Sequence, residues 1–79
     1  MNSASAFGQS LRYFRTSLKI SQERLSQESG LDRSYISLLE RGLRQPSLTT
    51  ILQVSKALNI SSVELIQKVE EVLSENNKN

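Results

Sequence analysis

The 79-residue sequence contains no cysteine and no histidine, and only one proline and three glycines. Without cysteine, the chain forms neither a disulfide nor a thiolate metal site. Without histidine, it lacks the commonest catalytic base and a frequent metal ligand. The carboxylates that remain are scattered along the sequence, whereas a metal-dependent nuclease needs them clustered. We therefore expect no enzymatic activity, no metal and no other cofactor.

Long apolar runs are also missing. No stretch approaches the roughly 20 apolar residues that cross a bilayer, and residues 1–6 lack the basic start and apolar core of a signal peptide. We expect a cytoplasmic protein with no membrane contact, and nothing in the sequence indicates a pocket for a small molecule. The length allows one domain over residues 1–79, and a small core without a disulfide favours self-association.

The charged residues are unevenly distributed. Residues 1–56 carry eight basic and four acidic side chains, whereas residues 57–79 carry two basic and four acidic ones. A basic body suits a polyanionic partner such as nucleic acid, although ordinary solvated charge explains the same balance equally well.

Helical periodicity and end signals predict an all-α fold of five helices. The first helix has apolar residues at helical spacing, namely Phe7, Leu11, Phe14 and Leu18. The other four begin after residues that can cap a helix, namely Ser21, Asp32, Ser47 and Ser61. The second, third and fourth are followed by residues that can end a helix, namely Gly30, Gly42 and Asn59. We expect order over about residues 7–74 and a frayed end at Asn76, Asn77 and Asn79.

Two helix faces follow from this reading. The inner face of the fourth helix is predicted to consist of Leu48, Ile51, Leu52, Ser55 and Leu58. The fifth helix, over about residues 62–73, carries one apolar stripe formed by Val63, Ile66, Val69 and Leu73, and a second one beside it formed by Leu65, Val69 and Val72. Because a small monomer does not readily cover both, we expect Leu65, Val69 and Val72 to form a homodimer interface. The alternative is a fifth helix sunk in its own core.

Residues 22–41 have the pattern of a helix-turn-helix, in which Gly30 allows a sharp reversal before a new helix begins at Arg33. Leu25, Ile36 and Leu39 are predicted to point inward and fix the angle between the two helices. Arg33, Ser34 and Ser37 then lie outward near the start of the third helix. A helix start pushed into a DNA groove brings such side chains to the base edges.

The stretch from Gln22 to Gly42, QERLSQESGLDRSYISLLERG, resembles the Cro/C1-type helix-turn-helix family, and the likeness extends over about residues 7–66. Together with residues 44–48, RQPSL, it is similar to restriction–modification controller proteins. The resemblance implies a compact, lambda-repressor-like domain that binds palindromic double-stranded operators as a homodimer and regulates its own operon. Other small repressors share much of this stretch. One departure is Ser26, where the family usually has alanine, although serine can bond back to its own helix.

The resemblance also assigns candidate contacts. Arg33 is the candidate base reader, since a bidentate arginine–guanine pair is the commonest specific contact in the major groove. Arg44, in the linker after the third helix, matches a DNA-contacting arginine, and Gln22 matches a residue that grips a phosphate. For all three, the alternative is an ordinary surface side chain.

The remaining candidates are more ambiguous. Ser34 and Ser37 suit phosphates or bases, or need no functional explanation. Tyr35 matches a tyrosine that reaches the DNA backbone, but it also suits a core or dimer contact. Arg41 binds either a phosphate or an acidic side chain of the second helix, Glu23 or Glu28.

Four further residues and one rival function complete the predictions from the sequence. Glu23 matches a residue that touches RNA polymerase in some family members, or it simply stabilises the helix dipole. Glu40 is expected to be structural. Arg12 and Arg15 in the first helix are expected to add only long-range attraction to DNA. The rival to DNA binding is a protein-interaction or antitoxin-like module, because a fold alone does not fix a function.

Overall fold

The computed structural model describes residues 1–76 and contains five helices over that range, with no strand. They are α1 (Ser3–Ser17), α2 (Gln22–Ser29), α3 (Arg33–Glu40), α4 (Leu48–Ala57) and α5 (Ser62–Asn76). The predicted all-α class and helix order are confirmed. Within this range, no helix is both long and apolar enough to span a membrane.

The helix starts follow capping chemistry, with two corrections. Ser21, Ser47 and Ser61 each accept a hydrogen bond from the backbone N–H three residues on, as predicted. Asp32 occupies the corresponding position before α3 but makes no capping side-chain bond. The expected start of order near Phe7 is too late, because Asn2 caps α1 by accepting a 2.8 Å hydrogen bond from Ser5 N.

The helix ends include the predicted reversals. Gly30, Gly42 and Asn59 all adopt positive φ angles, of 77°, 73° and 57°. α5 runs to Asn76, three residues beyond the expected end at Leu73. The fraying expected at Asn77 and Asn79 concerns residues outside the described range.

The core draws on all five helices. Its buried apolar members are Ala6, Phe7, Leu11, Leu25, Ile36, Leu39, Val54, Leu58, Leu65 and Val69. The predicted inner face of α4 is partly wrong, because Leu48 is 72% exposed and Leu52 is 52% exposed, while Thr50 and Val54 are buried. The buried side of α4 is thus rotated relative to the prediction.

The side of α5 that faces the core also differs from the prediction. Leu65 is fully buried and Val69 nearly so within a single chain, and Val72 is half-buried against the core. These side chains therefore do not form an accessible surface for a second copy. The other predicted stripe is divided, because Val63 is 76% exposed and Ile66 is 38% exposed, whereas Val69 is buried and Leu73 is half-buried against the core.

Candidate nucleic-acid interface

Hydrogen bonds that involve two serine side chains hold the turn between α2 and α3. Ser26 Oγ donates to the carbonyl oxygen of Leu31 at 2.5 Å, and Leu31 N donates to Ser29 Oγ at 3.2 Å. The expected bond of Ser26 back into its own helix is replaced by this bond across the turn. Serine at the helix crossing therefore adds a hydrogen bond across the turn that alanine could not make.

α3 has one buried face and one open face. Ile36 and Leu39 are fully buried, which anchors the helix, whereas Arg33 and Ser34 at its start are exposed. An open concave surface runs along this side of the molecule. It is lined by Gln22, Arg33, Ser34, Ser37, Leu38 and Arg41.

Five of the seven predicted contact residues thus share one surface, which we call the α3 face and define by those six lining residues. Leu38 was missed by the sequence reading. The spacing of the sequence could have identified it. One side of the helix repeats every three to four residues, and this spacing joins Ser34, Ser37, Leu38 and Arg41. An apolar group here suits contact with a thymine methyl.

The charge of the α3 face is positive. Within residues 1–76, neither Arg33 nor Arg41 forms an ion pair. Pairing of Arg41 with Glu23 or Glu28, one of the two alternatives for this residue, is absent from the described chain, and Arg41 Nε instead donates to the Ser37 carbonyl oxygen at 3.3 Å. Both guanidinium groups are therefore available to an anionic partner.

The other two predicted contacts lie outside the α3 face. Arg44 is exposed on the linker between α3 and α4. Tyr35 is half-buried and packs against the core, with its hydroxyl 3.4 Å from Thr50 Oγ1. Tyr35 thus links α3 to α4 through its hydroxyl group.

Comparison with known proteins shows which family has this arrangement. A family model described as helix-turn-helix matches residues 11–65. The control protein C.BamHI of Bacillus amyloliquefaciens is 46% identical over 61 residues, which cover 76% of this chain and 75% of that protein. The chain belongs to the helix-turn-helix family.

Solved structures of restriction–modification controllers in this family have the same fold. The controller C.AhdI of Aeromonas hydrophila is 50% identical, with a TM-score of 0.76 over 78% of this chain and 94% of that one. The controller C.Esp1396I, solved as a tetramer with its natural 35 base-pair operator, is 28% identical, with a TM-score of 0.83 over 92% of this chain and 97% of that one. The predicted family resemblance is confirmed.

A largely buried ion pair joins Arg15 of α1 to Glu40, the last residue of α3. Arg15 Nε and Nη2 donate to the two carboxylate oxygens of Glu40 at 2.6 and 3.0 Å. The hydrogen bonds to Glu40 raise the pKa of Arg15, although burial acts to lower it. The structural role expected for Glu40 is confirmed. The purely long-range role expected for Arg15 is wrong, because the side chain is only 12% exposed and all three of its nitrogens donate hydrogen bonds within the protein.

An apolar groove lies between α4 and α5. It is lined by Leu48, Ile51, Ser62, Val63, Ile66, Gln67 and Glu70. No basic side chain is among these residues, so the groove does not suit a nucleic acid. Among residues 1–76, no cluster of acidic side chains is arranged to hold a metal ion.

Proposed function

We propose that this helix-turn-helix protein is a sequence-specific transcriptional regulator that inserts the start of α3 into the major groove of double-stranded DNA. The observation that carries the proposal is the α3 face itself. It brings Arg33 and Arg41, both without an ion pair within residues 1–76, onto one open surface with two hydroxyl groups and an amide. Its mechanism is binding alone, with no catalytic step.

The contacts divide into two kinds. Arg33 begins α3 and is exposed, so its guanidinium is the group best placed to donate two hydrogen bonds to a guanine edge. Ser34, Ser37 and Arg41 follow on the same side of the helix. They would fix the register through phosphate contacts.

Contacts to the DNA backbone extend beyond α3. Gln22 at the start of α2 and Arg44 in the linker flank the recognition helix in the chain, and we assign both to phosphates. Tyr35 is half-buried, and we assign it to the DNA backbone as well. These contacts supply affinity that depends on salt, because each neutralised phosphate releases counterions.

The protein is proposed to act as a homodimer on a palindromic operator. One recognition helix reads only a few base pairs, and two copies about one helical turn apart add their binding free energies. The α4–α5 groove is the proposed contact, since Leu48 and Val63 are each more than two-thirds exposed and carry no charge. A second copy would bury this apolar surface across a two-fold axis.

The regulatory setting follows from the relatives. Because the chain is similar to controllers of restriction–modification systems, and one of these is solved on its natural operator as a tetramer, we propose an autoregulatory controller of such an operon. It would act in the cytoplasm, on the nucleoid. RNA polymerase is the proposed second partner, through exposed Glu23 on α2.

Selection of bound duplexes from a random-sequence pool tests this function. We expect a palindromic consensus, and affinity that falls steeply between low and physiological salt. Arg33→Ala should cost about 1–3 kcal/mol per half-site and relax the preference at one base position. Arg12→Ala is the matched control, because Arg12 is exposed on α1 and does not line the α3 face.

Two outcomes would contradict the proposal. The wild-type protein could bind no duplex selectively, in which case a protein partner for the α3 face, as in an antitoxin-like module, becomes the better reading. Arg33→Ala could also leave the selected consensus unchanged, which would remove Arg33 from base recognition.

A further inference from the structure

The Glu40 carboxylate accepts hydrogen bonds from side chains of both α1 and α2. Besides the two bonds from Arg15, its Oε1 accepts a 3.1 Å hydrogen bond from Gln22 Nε2. The Glu40 side chain is only 4% exposed. A carboxylate at the buried end of α3 thus reaches the first residue of α2, which lines the α3 face.

The chemistry of this contact fixes the orientation of the Gln22 amide. An ionised carboxylate only accepts hydrogen bonds, so the nitrogen end of the amide must face Glu40. Nε2 carries two hydrogens, of which Glu40 takes one. The second N–H and the carbonyl oxygen remain available on the α3 face.

Arg15 makes this arrangement electrostatically acceptable. An unpaired buried carboxylate would be costly and would repel the phosphates of a nearby duplex. Arg15 neutralises it and also donates from Nη1 to the Ile20 carbonyl oxygen at 2.8 Å, just before the Ser21 cap of α2. The same network therefore fixes both the start of α2 and its first side chain.

We propose that Glu40 is a positioning residue, which holds the Gln22 amide so that its free N–H is aimed at a DNA phosphate before binding. This inference rests on the proposed function, because it assigns the preorganisation of one contact of that interface. A free surface glutamine samples many rotamers and loses them on binding, whereas Gln22 has already lost them in the free protein.

A double-mutant cycle on operator affinity separates positioning from stability. The background variant is Arg15→Met with Glu40→Leu, which replaces the ion pair by apolar side chains of similar size and is expected to keep the fold. In the wild-type background, Gln22→Ala should weaken binding about tenfold. In the variant background, the same change should cost less than about twofold, because the amide is no longer held.

Arg44→Ala is the control probe of the cycle. Arg44 makes no hydrogen bond to Glu40, and we expect this change to cost the same in both backgrounds. An equal cost of Gln22→Ala in both backgrounds overturns the proposal. If the costs of both probes shrink together, Glu40 acts only on the fold, and the proposal is also overturned. The duplex selection is carried out before the cycle begins. If the wild-type protein selects no operator, that result contradicts the proposed function and not the role of Glu40.

A measurement on the unmodified protein does not depend on any variant folding. NMR relaxation of side-chain amides should give Gln22 Nε2 an order parameter of about 0.8 without DNA, against less than about 0.6 for exposed Gln27 on the same helix. If Gln22 is as mobile as Gln27, Glu40 does not hold it, and the proposal fails.

Discussion

Gly8 of α1 lies directly against the main chain of Glu40 at the end of α3. A β-carbon built on Gly8 would stand 2.7 Å from the Glu40 carbonyl oxygen and closer still to that of Leu39. These atoms belong to backbone, which cannot turn aside as a flexible side chain would. The absence of a side chain at Gly8 therefore sets the distance at which α1 packs against the end of α3.

Gly8→Ala should consequently destabilise the fold, although the same change in an open helix interior is favourable by about 1 kcal/mol. We expect a net loss of about 2 kcal/mol from the forced separation of α1 and α3, and a Tm lower by about 10 °C. Thermal unfolding followed by circular dichroism measures it. Gln9→Ala, at the exposed neighbouring position, is the control and should be close to neutral. A stabilised Gly8→Ala protein would show that the helices separate at little cost.

The Arg15–Glu40 pair predicts a strongly asymmetric response to substitution. Arg15→Met leaves the Glu40 carboxylate buried without its cation, and it should cost about 3–5 kcal/mol in urea unfolding. Adding Glu40→Leu should restore most of that loss. An Arg15→Met protein as stable as the wild type would mean that solvent reaches Glu40 freely.

The same pair predicts how stability depends on pH. The folded-state pKa of Arg15 is raised, so its contribution is fully present below the unfolded-state pKa and is lost only as the pH rises through the still higher folded value. Both values lie above the working range of proteins. We therefore expect the difference in unfolding free energy between wild type and the double variant Arg15→Met with Glu40→Leu to stay constant from about pH 7 to pH 9 in urea titrations. A difference that shrinks over that range would contradict the ion pair.

The α4–α5 groove predicts a dimer that one charge disrupts. Val63→Asp places a carboxylate on its most exposed apolar side chain, and sedimentation should show a monomer with much weaker operator binding. Gln53→Asp adds the same charge on an exposed site of α4 outside the groove, and should remain dimeric. A Val63→Asp protein that still pairs would place the interface elsewhere.

If Glu23 contacts RNA polymerase, its substitution should affect transcription activation but not DNA binding. Glu23→Gln should leave operator affinity unchanged and lower transcription from the controlled promoter several-fold, measured with purified RNA polymerase. Glu64→Gln is the matched control, because Glu64 is likewise an exposed acid in the first turn of a helix. Equal behaviour of the two variants would reduce Glu23 to a dipole-stabilising residue, worth about 0.3–1 kcal/mol of stability.

The outward side of α3 was predictable because one helix repeats its exposure every three to four residues. Ile36 and Leu39 mark the buried side, so Arg33, Ser34 and Ser37 fall opposite. By contrast, the partner of Glu40 was not predictable, since Arg15 lies 25 residues away in the chain. No local pattern distinguishes an arginine that pairs across helices from one that faces solvent.

The amino-acid sequence by itself determined the five helices, the turn at Gly30 and the family, because caps, periodicity and a local motif act over a few neighbouring residues. Only the tertiary structure decided which stripe of α5 is buried, how α4 is rotated, and that Arg15, Gln22 and Glu40 meet. These depend on how whole helices pack, and two apolar stripes of similar composition compete for one core. The chain packs Leu65 and Val69 inward and leaves Val63 outside, on a helix that contacts both α1 and α4.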